Sequence, residues 1–162
     1  SAYLGGSFVS TVAPATLGSY QKQIDAFATL PGGSFVKPKS RLKVKVTGTI
    51  SKGAAASGRL LAFRLYAGGS ILAVGSINTN NAASGSFALD IEVYALATAS
   101  QKYAFEISAG ATRLSYYAET FIGATTVNMA GDMDLHFYTW RDSASEMFTI
   151  ENCTAELHSV ME

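Results

Sequence analysis

Nearly every apolar run in this sequence alternates apolar with polar residues, and this period of two constrains the fold more than any other feature. In residues 41–50, RLKVKVTGTI, one side carries Leu42, Val44 and Val46, and the other side carries the lysines between them. Successive side chains of a β-strand point to opposite faces of a sheet, so such a run predicts a strand with one buried face. The same alternation recurs in residues 20–30, 59–67, 86–95, 102–108, 112–120, 131–140 and 146–160.

The segments between these runs are rich in Gly, Ser, Asn and Ala, which predicts turns and loops. Among them, residues 109–111, AGA, predict a hairpin turn. With no helical period, about 8–10 strands predict an all-β fold, an antiparallel β-sandwich of the jelly-roll-like type. An immunoglobulin-like sandwich is the alternative, although one Cys and one Trp do not supply the Cys, Trp, Cys pattern of that fold. A phase change at Glu151 and Asn152 predicts a β-bulge.

Length and charge limit the organisation and the partners. A chain of 162 residues suits one domain, expected at residues 20–162, preceded by a flexible N-terminal arm or edge strand at residues 1–19. Twelve basic and twelve acidic residues give a net charge of zero, so no nucleic-acid partner is expected. No apolar run reaches the roughly 18 residues of a spanning helix, and the start does not resemble an intact signal peptide, so no membrane partner is expected.

Residues 132–136, DMDLH, raise the question of a metal site, because Asp132, Asp134 and His136 share one side of the predicted strand. Acids and a histidine on the solvent side of a strand are usually only solvated. Catalytic zinc takes three protein ligands with His prominent, and the second histidine, His158, lies on a different predicted strand. Calcium would need further loop oxygens beside the two aspartates. We therefore expect no bound metal and no other cofactor.

No catalytic motif stands out. The GxSxG, P-loop, HExxH and dinucleotide-binding patterns are absent. Cys153, the only cysteine, has Ala155 and Leu157 on its own side of the run, which predicts a buried thiol rather than a nucleophile. A glycosidase carboxylate pair stays open, because such pairs come from distant strands, and the candidates are Glu119, Glu146, Glu151 and Glu156. The prediction is a protein without enzymatic activity.

Five large aromatic residues fall on the polar side of their strands and are the candidate interface or ligand-contact residues: Tyr66, Tyr94, Tyr117, Tyr138 and Trp140. Amphipathic rings on an outer face often contact proteins or stack on sugars. In a two-layer fold, such rings can equally fill the edge of the sandwich. Only 15% of the residues are charged, and a surface with so few charges suits burial between subunits.

The order of these segments resembles the small jelly-roll proteins of tailed-bacteriophage virions, namely capsid decoration proteins, head fibres and tail-fibre tips. The resemblance covers residues 25–162. It rests on LPGGSF, on a strand with a Gly/Ala-rich loop that leads into LYAGG at residues 65–69, and on the closing TAELHSVME at residues 154–162. These motifs are strand and turn patterns, and the resemblance implies no catalytic residues in this chain.

The resemblance implies a virion structural protein, either a capsid decoration (cement) protein or a head-fibre protein. Such proteins assemble in the host cytoplasm, where a lone cysteine stays reduced. They commonly form homotrimers and bind the major capsid protein or other virion proteins, and the N-terminal segment is expected to help in docking. The alternative is a carbohydrate- or receptor-binding β-sandwich module, either a tail-fibre tip or a lectin-like domain, with Tyr138 and Trp140 as a platform for a glycan.

Overall fold

The computed structural model describes residues 6–10, 15–16, 21–23, 28–51, 60–78, 85–110, 117–141 and 147–158. Within these ranges there is no helix. The same ranges contain twelve strands: β1 (Gly6–Ser10), β2 (Ala15–Thr16), β3 (Gln21–Gln23), β4 (Ala28–Leu30), β5 (Arg41–Ser51), β6 (Leu60–Ala67), β7 (Ser70–Asn78), β8 (Gly85–Ala97), β9 (Ser100–Gly110), β10 (Tyr117–Thr125), β11 (Met133–Arg141) and β12 (Met147–His158). A helix long and apolar enough to cross a membrane is not found among the described residues.

The strands form two antiparallel sheets. The larger sheet has seven strands in the order β1, β12, β5, β8, β9, β10, with β2 also paired to β12. The smaller sheet has five strands in the order β3, β11, β6, β7, with β4 also paired to β11. The two sheets make the all-β, antiparallel, jelly-roll-like sandwich that the alternation predicts, and this prediction of the fold class is confirmed.

Chain order and spatial order differ because the end of the chain folds back along its middle. β5 and β6 are consecutive in the chain but lie in different sheets. β12 pairs with β5 and β11 pairs with β6, so a late pair of strands runs beside an early pair across both sheets. Such a return is typical of jelly rolls, and the chain adopts this order rather than the immunoglobulin-like alternative.

The core lies between the sheets and is filled by the inward side chains of the alternating runs. In β5, Leu42, Val44 and Val46 are buried, whereas Lys45 between them is exposed. The largest fully buried side chains include Phe35, Phe63, Phe105 and Phe137. Burial of one such side chain is worth about 1.5–3 kcal/mol, so the inward faces of the strands supply most of the driving force for the sandwich.

The predicted bulge and the predicted hairpin turn have different outcomes. The pairing of β12 with β5 shifts register between Ile150 and Asn152, which confirms the bulge. The prediction of a hairpin turn at residues 109–111 is wrong, because Ala109 and Gly110 belong to β9 and pair with residues of β8. β10 begins at Tyr117, and residues 111–116, which include the first part of the predicted strand at residues 112–120, lie outside the described residues.

Part of the N-terminal segment belongs to the larger sheet. β1 pairs with β12 from Gly6 to Ser10, and the short β2 pairs with the same strand farther along. The remainder of residues 1–19 lies outside the described ranges. The division of the chain into an arm at residues 1–19 and a domain at residues 20–162 stays a prediction.

A buried amide ties the connection between β10 and β11 to the larger sheet. Gln101, near the start of β9, donates from its amide nitrogen to the carbonyl oxygen of Val127 at 2.8 Å. Its amide oxygen accepts from the backbone nitrogen of Val127 at 3.0 Å. Both groups of the buried amide are therefore satisfied. This clamp fixes the approach to β11, the strand that carries most of the candidate site.

Candidate functional site

Outward side chains of two neighbouring strands form a surface that we call the aromatic patch, made of Tyr66, His136 and Tyr138. In β11, His136 and Tyr138 alternate with Leu135 and Phe137, which point into the core and are buried. Tyr66 of β6 is the direct cross-strand partner of His136. Alternation along β11 and the register of β6 therefore bring the three rings to one place on the outer face of the smaller sheet.

The rings of the aromatic patch contact one another. Tyr66 and His136 stack with their centroids 5.2 Å apart and their planes 9° apart. Tyr66 and Tyr138 meet edge to face at 6.2 Å and 69°. All three side chains are half-buried, so each is supported by its neighbours while part of it reaches solvent. Rings held in this way lose little conformational freedom when a partner binds.

Polar groups and one apolar residue surround the aromatic patch. The exposed Arg64 is the cross-strand partner of Tyr138. Asp134, one outward position before His136 in β11, accepts a hydrogen bond from Thr29 Oγ1 of β4 at 2.9 Å. Ile71 of β7 lies opposite Tyr66 and is 37% exposed. The surface combines ring faces for stacking, an apolar contact and charged hydrogen-bonding groups, and this combination suits the binding of a partner.

The five aromatic residues predicted as contacts do not all meet. Tyr66 and Tyr138 lie together in the aromatic patch, whereas Tyr94 lies on the outer face of the larger sheet. Tyr117 and Trp140 are strand positions of β10 and β11, and their side chains lie outside the described part of the structure. A contact role for each of the five stays a prediction.

Sequence reasoning missed the part that His136 plays in this surface. It treated His136 as a possible metal ligand, whereas the structure stacks the imidazole on Tyr66. The alternation already places His136 on the same side of its strand as Tyr138. The missing information was the register between β6 and β11, which the residues of a single strand do not specify.

The acidic residues of DMDLH accept hydrogen bonds from residues of β4 and of the segment that follows it. Asp132 Oδ1 accepts from the backbone nitrogen of Gly32 at 2.7 Å, and Asp134 Oδ1 accepts from Thr29. His136 and His158 belong to different sheets, so the two histidines do not meet. The residues with described positions contain no group of three or more His, Cys, Asp or Glu that could hold a metal ion.

The outer face of the larger sheet carries charged side chains over a depression of about 500 Å³. Lys43 lies 3.5 Å from Glu92, and Lys45 lies 4.0 Å from Asp90. These four side chains are 36–64% exposed, and ion pairs in such positions contribute little to stability. This face resembles a solvated surface more than a preformed binding site.

Tyr94 adds a hydrogen bond to this charged face. Its hydroxyl donates to Glu92 Oε2, and that hydrogen bond raises the pKa of Tyr94 and lowers the pKa of Glu92. The nearby Lys43 lowers the pKa of Glu92 further, because a positive charge favours the carboxylate. Tyr94 is therefore engaged with its own strand and is separated from the aromatic patch by the thickness of the sandwich.

Glu119 lies far in the larger sheet from the other described candidates for a glycosidase pair, as judged from strand positions. Glu119 lies on β10, and both Glu151 and Glu156 lie on β12. Four strand-to-strand steps separate β10 from β12 in the larger sheet, a distance of about 19 Å, whereas glycosidase pairs lie about 5–9.5 Å apart. Glu146 lies outside the described residues.

Cys153 occupies the core position that the alternation predicts. Its side chain is buried in β12, and burial raises the pKa of the thiol to about 12. A thiol with so high a pKa holds almost no thiolate near neutral pH, and the thiolate is the nucleophilic form. The residue therefore contributes to packing.

Comparison with known proteins gives distant structural similarities. No protein-family model and no curated protein matches the sequence. The CBM2 module of the evolved Dit of Lactobacillus casei BL23 phage J-1 is 12% identical, with a TM-score of 0.43 over 83% of this chain and 69% of that chain. Peanut lectin is 6% identical, with a TM-score of 0.47 over 100% of both chains. A protein chain in the structure of the infectious bursal disease virus Gx strain is 8% identical to this chain. The match has a TM-score of 0.43 and covers 96% of this chain and 32% of the viral chain.

These similarities place the chain in no family, because the TM-scores lie below 0.5 and the identities do not exceed 12%. The chain also spans only about a third of the length of the bursal disease virus protein. The fold class rests on the strand pairing itself.

Proposed function

We propose that the chain is a structural protein of a bacteriophage virion that binds the particle surface through the aromatic patch and associates with copies of itself. The finer role is that of a capsid decoration (cement) or head-fibre protein, with the major capsid protein as partner and the N-terminal segment as a second contact. The proposal includes no catalytic activity, metal, nucleic acid or membrane. The sequence resemblance over residues 25–162 and the jelly-roll-like order of the strands support it.

The aromatic patch is the single observation that carries the proposal. An antiparallel sheet that faces water normally has polar side chains at its outward positions. Here outward positions of β6 and β11 hold three rings, of which Tyr66 contacts the other two, at centroid distances of 5.2 and 6.2 Å. Preformed aromatic clusters are typical centres of protein interfaces, because they bury a large area at a small cost in side-chain entropy.

Composition analysis of purified particles tests the proposal. Particles produced by the genome that encodes the chain should retain the protein through a density gradient, at a fixed ratio to the major capsid protein. Quantitative mass spectrometry of the gradient fractions measures that ratio. A protein that is made during infection but absent from purified particles contradicts the proposal.

A carbohydrate- or receptor-binding module is the second candidate, and the polar surroundings of the aromatic patch favour it. Sugar sites combine ring stacking with fixed hydrogen-bonding groups. The Asp134 carboxylate, held by Thr29 at 2.9 Å, and Arg64, opposite Tyr138, lie beside the rings. These groups could accept from and donate to sugar hydroxyls.

A glycan array separates this candidate from the first. The carbohydrate hypothesis predicts a defined set of bound glycans and a loss of about tenfold or more in affinity on Tyr66→Ala, which removes the ring that contacts both others. Tyr94→Ala is the matched control, because it removes a tyrosine from the opposite outer face. Binding to no glycan, or equal loss in both variants, contradicts the carbohydrate hypothesis.

A further inference from the structure

β10 forms an edge of the larger sheet. Among the described strands it pairs with β9 alone, so its other side has no strand partner there. Alternate backbone N–H and C=O groups of an edge strand point away from the sheet, which makes the edge a template for another strand. Soluble proteins usually protect such an edge with charged residues, proline or a short strand length.

The sequence of β10 has little of this protection. The strand is nine residues long, YAETFIGAT, with Glu119 as its one charged residue and no proline. Its outward positions include Thr120, Ile122 and Ala124, whereas the outward positions of β5 and β8 carry lysines and acids. Ile122 is 81% exposed, more than any other exposed large hydrophobic side chain among the described residues. Ile122, an apolar side chain at the centre of an edge strand with a single charge, is therefore a candidate to be covered by a partner.

We infer that β10 is an interface between two copies of this chain, in which the two β10 strands pair antiparallel about a two-fold axis at Ile122. This register places Ile122 against the partner's Ile122 and Phe121 against the partner's Gly123. It also places Glu119 opposite the partner's Thr125, so no like charges meet. A register centred on Glu119 would set two carboxylates against each other, which is destabilising. The register centred on Ile122 therefore pairs the strand with itself without placing like charges opposite each other, as a two-fold interface requires.

β7, an edge strand of the smaller sheet, lies on the same side of the molecule as β10. β7, SILAVGSIN, contains no charged residue. Thr125 Oγ1 of β10 donates to the carbonyl oxygen of Leu72 in β7 at 3.3 Å, so the end of β10 lies close to the start of β7. Ile71, at the start of β7, is 37% exposed. Pairing through β10 brings the β7 strands of the two copies toward each other, so the uncharged β7 and the singly charged β10 both contribute to the interface.

The mass of the isolated protein in solution is the first test. We expect size-exclusion chromatography with light scattering to give about twice 17.0 kDa for the full chain. Ile122→Lys should raise the dissociation constant of the dimer about tenfold or more, and Ile122→Val should leave it nearly unchanged. Because Ile122 is 81% exposed, the lysine variant should keep the circular dichroism spectrum of the wild type. A monomer at high concentration, or a dimer that Ile122→Lys does not weaken, overturns the interface.

A cross-link tests the register. Paired residues of antiparallel strands have Cα atoms about 4.5–5.5 Å apart, which is within the range that a disulfide spans. Ile122→Cys should therefore form a disulfide-linked dimer under mild oxidation. Leu96→Cys is the control, since Leu96 is also exposed, at 45%, but lies in β8. Cys153 is buried and does not compete. Equal cross-linking of both variants, or none at position 122, contradicts the register.

Two-fold pairing predicts a dimer, where the resemblance to virion proteins implies a trimer. Light scattering distinguishes the two masses. A trimer that survives Ile122→Lys overturns the β10 interface and leaves the virion role standing. A β10 dimer that is absent from purified particles supports the interface and contradicts the virion role.

Discussion

At the scale of single residues, the buried thiol of Cys153 gives a direct chemical test. Burial raises its pKa to about 12, so the folded protein at pH 8 holds almost no thiolate. We predict that iodoacetamide leaves Cys153 unmodified in the native protein and alkylates it fully in denaturant, as measured by mass spectrometry of the intact chain. Rapid alkylation of the native protein at pH 8 would contradict the buried position.

The same pKa shift fixes the sign of a pH effect on stability. The thiol has its ordinary pKa of 9.0 in the unfolded chain and a raised pKa in the folded one. The contribution of the buried thiol to the free energy of unfolding is therefore present below about pH 9. It is lost as the pH rises toward 12, because in that interval the thiol ionises readily only in the unfolded chain. The alkylation contrast between native and unfolded protein should accordingly persist from pH 7 to pH 10.

Gly75 of β7 lies against the ring of Phe105. A Cβ at position 75 would be 2.5 Å from Phe105 Cδ1, so the ring would have to move. We predict that Gly75→Ala lowers the free energy of unfolding by about 1–3 kcal/mol, measured by urea denaturation. Gly69→Ala is the control, since nothing lies within 4 Å of a Cβ there, and it should change stability by about 0.5 kcal/mol or less. Equal effects of the two substitutions would be inconsistent with this packing.

Residue positions relative to the sheet were predictable, but residue contacts were not. Strict alternation assigns Leu42 and Phe63 to the core and Tyr66 to the outer face, as the structure has them. The stacking of His136 on Tyr66 depends on which strands pair and in which register. Neither property is encoded in the period of one strand.

At the scale of elements, Gln101 holds the connection between β10 and β11. Its amide makes two hydrogen bonds to the backbone of Val127, at 2.8 and 3.0 Å, from a fully buried position. We predict that Gln101→Leu destabilises the protein by about 1–3 kcal/mol, because it leaves the backbone groups of Val127 without partners. Thermal melting followed by circular dichroism measures the effect.

Lys102→Gln is the neighbouring control for this substitution, because Lys102 is exposed. Its melting temperature should stay close to that of the wild type. If Gln101→Leu also melts like the wild type, the amide clamp does not contribute to stability.

Elements with uninterrupted alternation were predictable, and elements with irregular pairing were less so. The bulge near Asn152 could be predicted because it reverses the phase within one run. β7 shows no clear period of two, since Leu72 and Ala73 are both buried where the pairing with β6 shifts register. Because the irregular pairing interrupts the alternation of β7, this strand could not be identified from the sequence alone.

At the scale of the whole molecule, the assignment of strands to sheets was beyond sequence reasoning. Alternation states which residues face inward, but it does not state that β5 and β6 belong to different sheets or that β12 returns to β5. These are contacts between distant parts of the chain. The aromatic patch depends on them, because β6 and β11 meet only through this long-range return.

The N-terminal segment allows a test of attachment that is separable from folding. β1 pairs at the edge of the larger sheet with β12, so deletion of residues 1–19 leaves β5, β8 and β9 with all their strand partners. We predict that the truncated protein keeps a β-type circular dichroism spectrum and binds particles more weakly than the full chain. Binding at full affinity would exclude the segment from attachment, and loss of the β spectrum would show that the core requires it.

Rebinding of the purified protein to particles that lack it tests attachment through the aromatic patch. Particles from a deletion strain would be mixed with purified protein, and the bound copies per particle counted by mass spectrometry against the major capsid protein. We expect saturable binding of the wild type, at least about tenfold weaker binding of the Tyr66→Ala/Tyr138→Ala double variant, and unchanged binding of Tyr94→Ala. No saturable binding of the wild type, or equal binding of the double variant, would contradict attachment through the aromatic patch.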